Sequence, residues 1–339
     1  MASTSTLVNA LNAIRAAATP TYQDRVPVAT QDNLKNVGNP IVAYQDTMNE
    51  FLNALVNRIG LVLVHNKEMK NPLAVLKQGG EYPLGVDVEE IFTNPAVAET
   101  YNRKSTDLLS QTEPDVKAAY HRLNRQDRYT VSIAKSTISQ AFTDFEKLDK
   151  LISSIVNSLY SGNYLDEFLL CKQTFASAIA NNKIITQTVG AVTDETSAKN
   201  FITTARTIFN NFAFPSSSFN SYSKSGGTGN PVITWTPPED VRFIIRSDIE
   251  AIVDVNVLAN AFNMEKAEFL GQTLRVDNFD TADNCIAIMC DKAFPQIYDN
   301  MTDMTEFFNA SNLVWNYYYH VWQTYSVSPF ANAVAFITE

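Results

Sequence analysis

From His65 to about Thr112 the chain carries no sustained hydrophobic face. Turn residues (Asn71-Pro72, Gly79-Gly80, Pro83) punctuate it, and its β-prone pieces, such as PLGVDVEEIF, are short. Runs this long without a core of their own are uncommon in compact domains. The pattern predicts an extended hairpin. A lone hairpin is marginal in water, so the segment needs another surface to lie on.

The flanking sequence is more regular. Leu7, Leu11 and Ile14 predict an amphipathic helix over Thr6–Ala17, after which Pro, Asp, Asn and Gln dominate from Thr19 to Asn39. Asn39 as cap and Pro40 at the first position predict a helix closing at Gly60, followed by a buried strand, Leu61–Val64. A short helix is expected over Pro114–Arg125 and a strand over Tyr129–Ala134. Thr137–Asn182 reads as the longest helical region. Its stripe runs from Phe142 to Leu159, is interrupted at Gly162, and continues through Leu165, Phe168, Leu169, Phe175 and Ile179. A further helix is predicted over Ala198–Phe212, and the Ser/Gly/Pro/Asn-rich stretch Pro215–Glu239 reads as a boundary. Beyond it come a strand (Val241–Ile245), a helix (Val255–Phe269) and two strands (Thr273–Val276, Ile286–Cys290). The aromatic close, LVWNYYYHVWQTYSVSPFANAVAFI, favours strands broken at Pro329 and Asn332.

The chemistry is mostly defined by exclusion. A chain of 339 residues suggests two or three packed units. Its net charge of −10 argues against sequence-specific nucleic-acid binding, which relies on basic surface. Residues 1–135 hold 14 basic and 14 acidic side chains, and residues 136–339 hold 12 and 22, so the second part carries the whole imbalance. No apolar run reaches the length of a membrane span, and the first residues do not read as a signal peptide. Three cysteines fit free thiols, with Cys285 and Cys290 expected on opposite faces of one strand. His65, His121 and His320 lie far apart without metal-ligand spacing, and the carboxylates Glu89-Glu90 read as ordinary surface. No catalytic, metal or cofactor residue is expected.

A basic patch is the one candidate contact site. Arg122, Arg125 and Arg128 cluster, with Lys117, Arg103 and Lys104 upstream and Tyr120 and Tyr129 interleaved. Asp107, Glu113, Asp115 and Asp127 offset most of that charge, so charge-paired contact with a protein neighbour is favoured over nucleic acid. A plain solvated face is the remaining alternative.

Eight strings then occur in a characteristic order. They are RIGLVLV at Arg58, NPL at Asn71, PLGVDVEEIFT at Pro83, HRLNRQDRY at His121, SSIVNSLY at Ser153, DIEAIVDVNVLANAFNMEKAEFLG at Asp248, DKAFPQIYDNM at Asp291 and WNYYYHVWQTYSVSPFANAVAF at Trp315. Together they resemble the major capsid proteins of small podophages of the Picovirinae type. The resemblance implies an α+β Hong Kong 97-like fold. In it, residues 1–38 would be an N-terminal arm, 39–64 a helix and strand of the peripheral domain, and 65–135 an extended loop. Residues 136–240 would be the peripheral domain with its spine helix, 241–310 an axial domain, and 311–339 strands returning to the peripheral domain. It further implies a structural subunit, not an enzyme, assembling as hexamers and pentamers around double-stranded DNA. A scaffolding protein and a portal vertex would be its partners, with assembly in the host cytoplasm. An encapsulin-like compartment subunit is the alternative on the same fold. Some relatives carry an immunoglobulin-like domain after the core, and no role of that domain is carried over.

Overall fold

The computed structural model describes residues 4–51, 54, 71–79, 82, 84–85, 87–98, 100, 111–142, 145–224, 230–253 and 272–338. The expected strand Leu61–Val64 and helix Val255–Phe269 lie outside these residues. The chain divides into two compact units: residues 1–71, 126–167 and 302–321, and residues 72–125, 168–301 and 322–339.

In the first unit, α1 (Thr4–Ala17) buries Leu11 and Ile14, as their spacing predicts. The stretch after it is not patternless. Thr19 caps α2 (Pro20–Arg25), whose Pro20 sits where its missing N–H costs nothing. Tyr22, Val26 and Ala29 are buried. Side chains hold this segment in place of periodicity. Arg15 donates to the carbonyls of Gln23 and Val26, both at 2.7 Å, and the Asn12 amide pairs in both directions with the backbone of Ala29, at 2.7 and 2.9 Å. α3 (Leu34–Ala43) starts before the expected Asn39 cap and carries Pro40 in its interior. Burial of Leu34, Val37 and Ile41 outweighs the hydrogen bond that Pro40 forgoes. The helix stops at Tyr44, and residues 45–51 form a separate helical run.

Gly38 of α3 lies against Phe142, which follows α4 (Lys135–Ala141). A Cβ on Gly38 would stand 2.5–2.8 Å from the Cβ, Cγ and Cδ1 of that phenylalanine. The same core holds Met48, Phe51, Trp315 and Tyr317, and Trp315 Nε1 donates to Asn49 Oδ1 at 2.6 Å.

α5 (Phe145–Ala180) runs its 36 residues straight through Gly162. The expected stripe is displaced: Leu165 and Leu169 are 45% and 46% exposed. The buried row is Leu159, Asn163, Glu167, Cys171 and Phe175, spaced four apart. Its polar members are bonded to each other, Asn163 Nδ2 donating to Glu167 Oε1 at 3.1 Å, so hydrophobicity alone misplaces the face.

The second unit is built on a five-stranded sheet of order β4-β10-β7-β5-β6. Its strands are β4 (Ile185–Val189), β5 (Val241–Arg246), β6 (Thr273–Val276), β7 (Cys285–Asp291) and β10 (Ala333–Thr338). The outer pairs β10–β4 and β5–β6 are parallel, and β7 is antiparallel to both of its neighbours. α6 (Glu195–Phe212), started by an Asp194/Ser197 capping box, covers one face with Phe201, Ala205, Phe209 and Phe212. Cys171, Phe175 and Phe294 pack with the other face. β4 and β5 share this sheet, so the Pro215–Glu239 stretch lies between two elements of one compact unit.

A register shift where β10 meets the start of β7 overturns the cysteine expectation. Phe336 pairs with Ala287 while Ile337 pairs with Cys285. A bulge spends one residue without reversing the face. Cys285 and Cys290 therefore both enter the cluster that contains Ile244 and Ile288. A second sheet, β3-β9-β8, joins β3 (Arg125–Ala134), β8 (Pro295–Asn309) and β9 (Val314–Val327). β9 and β10 are separated at Ser328–Asn332, as the breaks at Pro329 and Asn332 predict.

Three outcomes follow for equilibrium unfolding and thiol labelling. Gly38→Ala overpacks Phe142 and should cost about 1–3 kcal/mol in urea unfolding. Gly162→Ala meets only the Tyr129 ring, at 3.4–3.5 Å, and should add about 0.5–1 kcal/mol of stability. All three cysteines are buried, and desolvation pushes the Cys285 thiol up to about 12. At pH 8 the folded chain should resist maleimide until denaturant is added.

Candidate functional site

The segment without a core forms an antiparallel ribbon in the second unit, β1 (Val88–Thr93) with β2 (Val116–His121). β2 occupies part of the expected helix Pro114–Arg125, and β3 begins at Arg125 rather than Tyr129. The helix-favouring residues of VKAAYH are overridden by pairing. Glu89 faces Tyr120, Ile91 faces Ala118, and Thr93 faces Val116.

Alternation gives the ribbon two unlike faces. Inward point Glu90, Phe92, Lys117, Ala119 and His121; outward point Glu89, Ile91, Thr93, Val116, Ala118 and Tyr120. Glu90, expected on the surface, lies at the centre of the inner attachment. Its Oε2 is 3.0 Å from His121 Nε2, and its Oε1 accepts from Ser328 Oγ at 2.6 Å. His121 Nδ1 is 2.8 Å from Ser326 Oγ, and the imidazole is 2% exposed. With Nε2 carrying the proton toward the carboxylate, Nδ1 accepts from the serine hydroxyl, and each group is satisfied. The order serine–imidazole–carboxylate here joins β9 to both ribbon strands, so it works as a strut. Phe92 stacks on Phe330 with ring centroids 5.6 Å apart.

The connection end of the ribbon, where Thr93 faces Val116, is tied by Asn94. Its amide donates to Asp115 Oδ2 at 2.6 Å and to the Pro231 carbonyl at 3.1 Å, and its Oδ1 accepts from Ile233 N–H at 3.0 Å. Asp115 also holds Lys117 Nζ at 2.6 Å. That hydrogen bond lowers the Asp115 carboxyl below its ordinary range and raises the Lys117 ammonium.

Among the described residues the outer face has no such anchoring partners. Ile91, Val116 and Tyr120 are 62%, 49% and 60% exposed, and the Tyr120 hydroxyl donates to Glu89 at 3.0 Å.

The basic residues singled out in the sequence are not gathered into one patch. Arg103 and Lys104 lie outside the described residues. Lys117 faces inward, with its ammonium 5.9 Å from the Tyr222 ring centre. Arg125 is buried and donates to Gln323 Oε1. Arg122 is exposed and bonded to Asp87 at 2.8 Å, and exposed Arg128 stands 5.0 Å over the Tyr318 ring. The outer apolar face was missed, although alternation in VEEIFT paired with VKAAYH carries its signal. Among the described residues, no group of histidine, cysteine or carboxylate side chains could hold a metal.

A family model described as Phi29-like phage major capsid protein matches residues 11–337. The chain belongs to that family. It is 35% identical over 331 residues to the major capsid protein of Bacillus phage PZA, across 97% of this chain and 72% of that one. It is 30% identical over 346 residues to the major capsid protein of Streptococcus phage Cp-1, across 96% and 92% of the two chains. A chain from the capsid structure of Staphylococcus phage Andhra superposes with a TM-score of 0.66 at 11% identity, covering 82% of this chain and 87% of that one. One from the capsid of cyanophage P-SCSP1u gives 0.53 at 10%, covering 78% and 86%. The fold is Hong Kong 97-like, and the protein is a structural subunit of a phage capsid, not a compartment shell protein. The family implies a non-enzymatic role, self-assembly and a place in the virion.

Removing the Glu90 carboxylate leaves His121 and Ser328 short of an acceptor. Glu90→Ala should cost about 1–3 kcal/mol locally. Amide exchange in residues 88–93 and 116–121 should rise roughly 5–150-fold, with β7 unchanged. Unaltered exchange in the ribbon would show that the strut does not hold it.

Proposed function

We propose that the chain assembles as hexamers and pentamers into a head enclosing double-stranded DNA, and that the outer face of the β1–β2 ribbon is a contact with the neighbouring subunit. The observation that carries this is the inversion of the ribbon. Its buried face is held by directed polar bonds, and its exposed face presents Ile91, Val116 and Tyr120. An apolar face left in water is a liability on a monomer and an asset on a subunit that is never alone.

The ribbon and its flanks, residues 65–135, are then the extended loop of the fold. Residues 1–38 are the arm, 136–240 and 311–339 form the peripheral domain, and 241–310 form the axial domain. The basic segment of Arg103, Lys104, Lys117, Arg122, Arg125 and Arg128 supplies charge-paired contacts with a neighbour, and Arg122 and Arg128 are its exposed members among the described residues. Assembly takes place in the host cytoplasm with a scaffolding protein, and a portal fills one vertex. The acidic surplus of residues 136–339 faces the packaged DNA and repels it without sequence preference.

Sedimentation velocity on the full chain, with and without its scaffolding protein, tests the reading. The wild type should give rings or shells far heavier than one subunit. Ile91→Ser with Tyr120→Ser should cut the assembled fraction at least tenfold while leaving the thermal unfolding of the subunit in place. Full assembly by the double variant would remove the ribbon face from the contact.

A further inference from the structure

The outer face of the ribbon is too small to hold a neighbour by itself. Ile91, Val116 and Tyr120 at 62%, 49% and 60% exposure present on the order of 400 Å², about half of the ~800 Å² each partner gives to a standard interface. The rest of any seat has to lie at the margin of the ribbon, and hydrogen bonds fix what is there. Asn94, directly after β1, grips Pro231 and Ile233 on one side. On the other side, Ser216 and Thr234 exchange backbone bonds at 3.0 and 3.1 Å, and Thr236 N–H donates to the Phe212 carbonyl at 2.7 Å. The segment from Pro231 to Thr236 is thus held at both ends.

Along it stand Ile233 and Trp235, and across the bridge Phe214, with exposures of 38%, 49% and 65%. A solvated turn of Ser/Gly/Pro/Asn composition needs no large apolar side chains, and here three emerge from a backbone whose polar groups are tied down. Their exposed surface brings the total to roughly 700 Å², close to the share of one partner in a standard contact.

We infer that Phe214, Ile233 and Trp235 continue the outer face of the β1–β2 ribbon into one seat for a second copy of this chain. The inference rests on the proposed role of that face and extends it by a surface from a different part of the sequence, joined through Asn94. A second copy is the occupant because the family builds shells of its own chain, and because the combined area matches a contact between subunits, not a small ligand.

Thiol protection tests it directly. The native cysteines are buried, so a maleimide reads only an introduced thiol. Trp235→Cys and Tyr120→Cys are made separately in the full chain and labelled as dissociated subunits and as assembled particles. Both sites should react at least tenfold more slowly in particles. Protection at 120 without protection at 235 overturns the inference and leaves the ribbon contact standing. Protection at 235 alone breaks the continuous seat and removes the ribbon contact, and reactivity at both overturns both. If Trp235→Cys fails to fold, Phe214→Cys gives the same readout.

Discussion

A two-stranded ribbon has two faces, and in the β1–β2 ribbon one is packed and the other exposed. The second unit covers the inner face of β1–β2 through Glu90, His121, Ser326 and Ser328, with Phe92 stacked on Phe330. Those bonds decide which residues are left outside. Hydrogen bonds demand specific partners in specific directions, whereas apolar contact accepts any complementary surface. A polar inner face therefore fixes the ribbon's register on its own chain. The outer face is left free for the proposed contact with a neighbouring subunit.

The ribbon can rest on the second unit because that unit is firmly built. β7 is buried along nearly its whole length, between α6 on one side and Cys171 and Phe175 of α5 on the other. Its bulge keeps Cys285 and Cys290 in the same core cluster, where desolvation holds both thiols protonated. β10 follows β7 in the sheet and is preceded by the Ser328–Asn332 turn that receives Glu90. The attachment point is thus a short connection between two long, paired strands. Its backbone has little freedom left, so the Ser328 hydroxyl meets the Glu90 carboxylate at little entropic cost.

Much of this was legible in the sequence, and the failures share a cause. Strong periodicity located α1, α6, β5, β6 and β10 to within a few residues, and the aromatic close gave both its strands and their break. Errors came wherever polar side chains stood in for hydrophobic ones. Arg15 and Asn12 fold a segment that looked structureless, and Asn163 with Glu167 continue a buried row in which leucines were expected. VKAAYH carries helix-formers that only a distant partner strand turns into β structure. The basic residues show the same limit of sequence reading. A count of arginines does not show that Arg125 points inward to Gln323 while Arg122 points outward to Asp87. Long-range polar partners leave no period in a sequence, so composition sees their charge and misses their direction.

That distinction also bears on how strongly such a subunit should hold its neighbours. The apolar surface in question is modest, and standard contacts of this size span affinities from micromolar to far tighter, depending on how well the anchors fit. A shell assembled from identical chains needs contacts that form reversibly, so that misplaced subunits can leave before closure. An outer face of Ile91, Val116 and Tyr120 on a ribbon whose own attachment is polar suits that demand. The side chains can repack against slightly different neighbours, and the strut keeps the ribbon from peeling away while they do. Reversing the two faces would reverse the logic. An apolar inner face would let the ribbon slide on its own chain, and a polar outer face would require the same partner geometry at every position in the shell. Placing the directional bonds inside and the adaptable surface outside lets one sequence occupy non-identical environments without a change of fold.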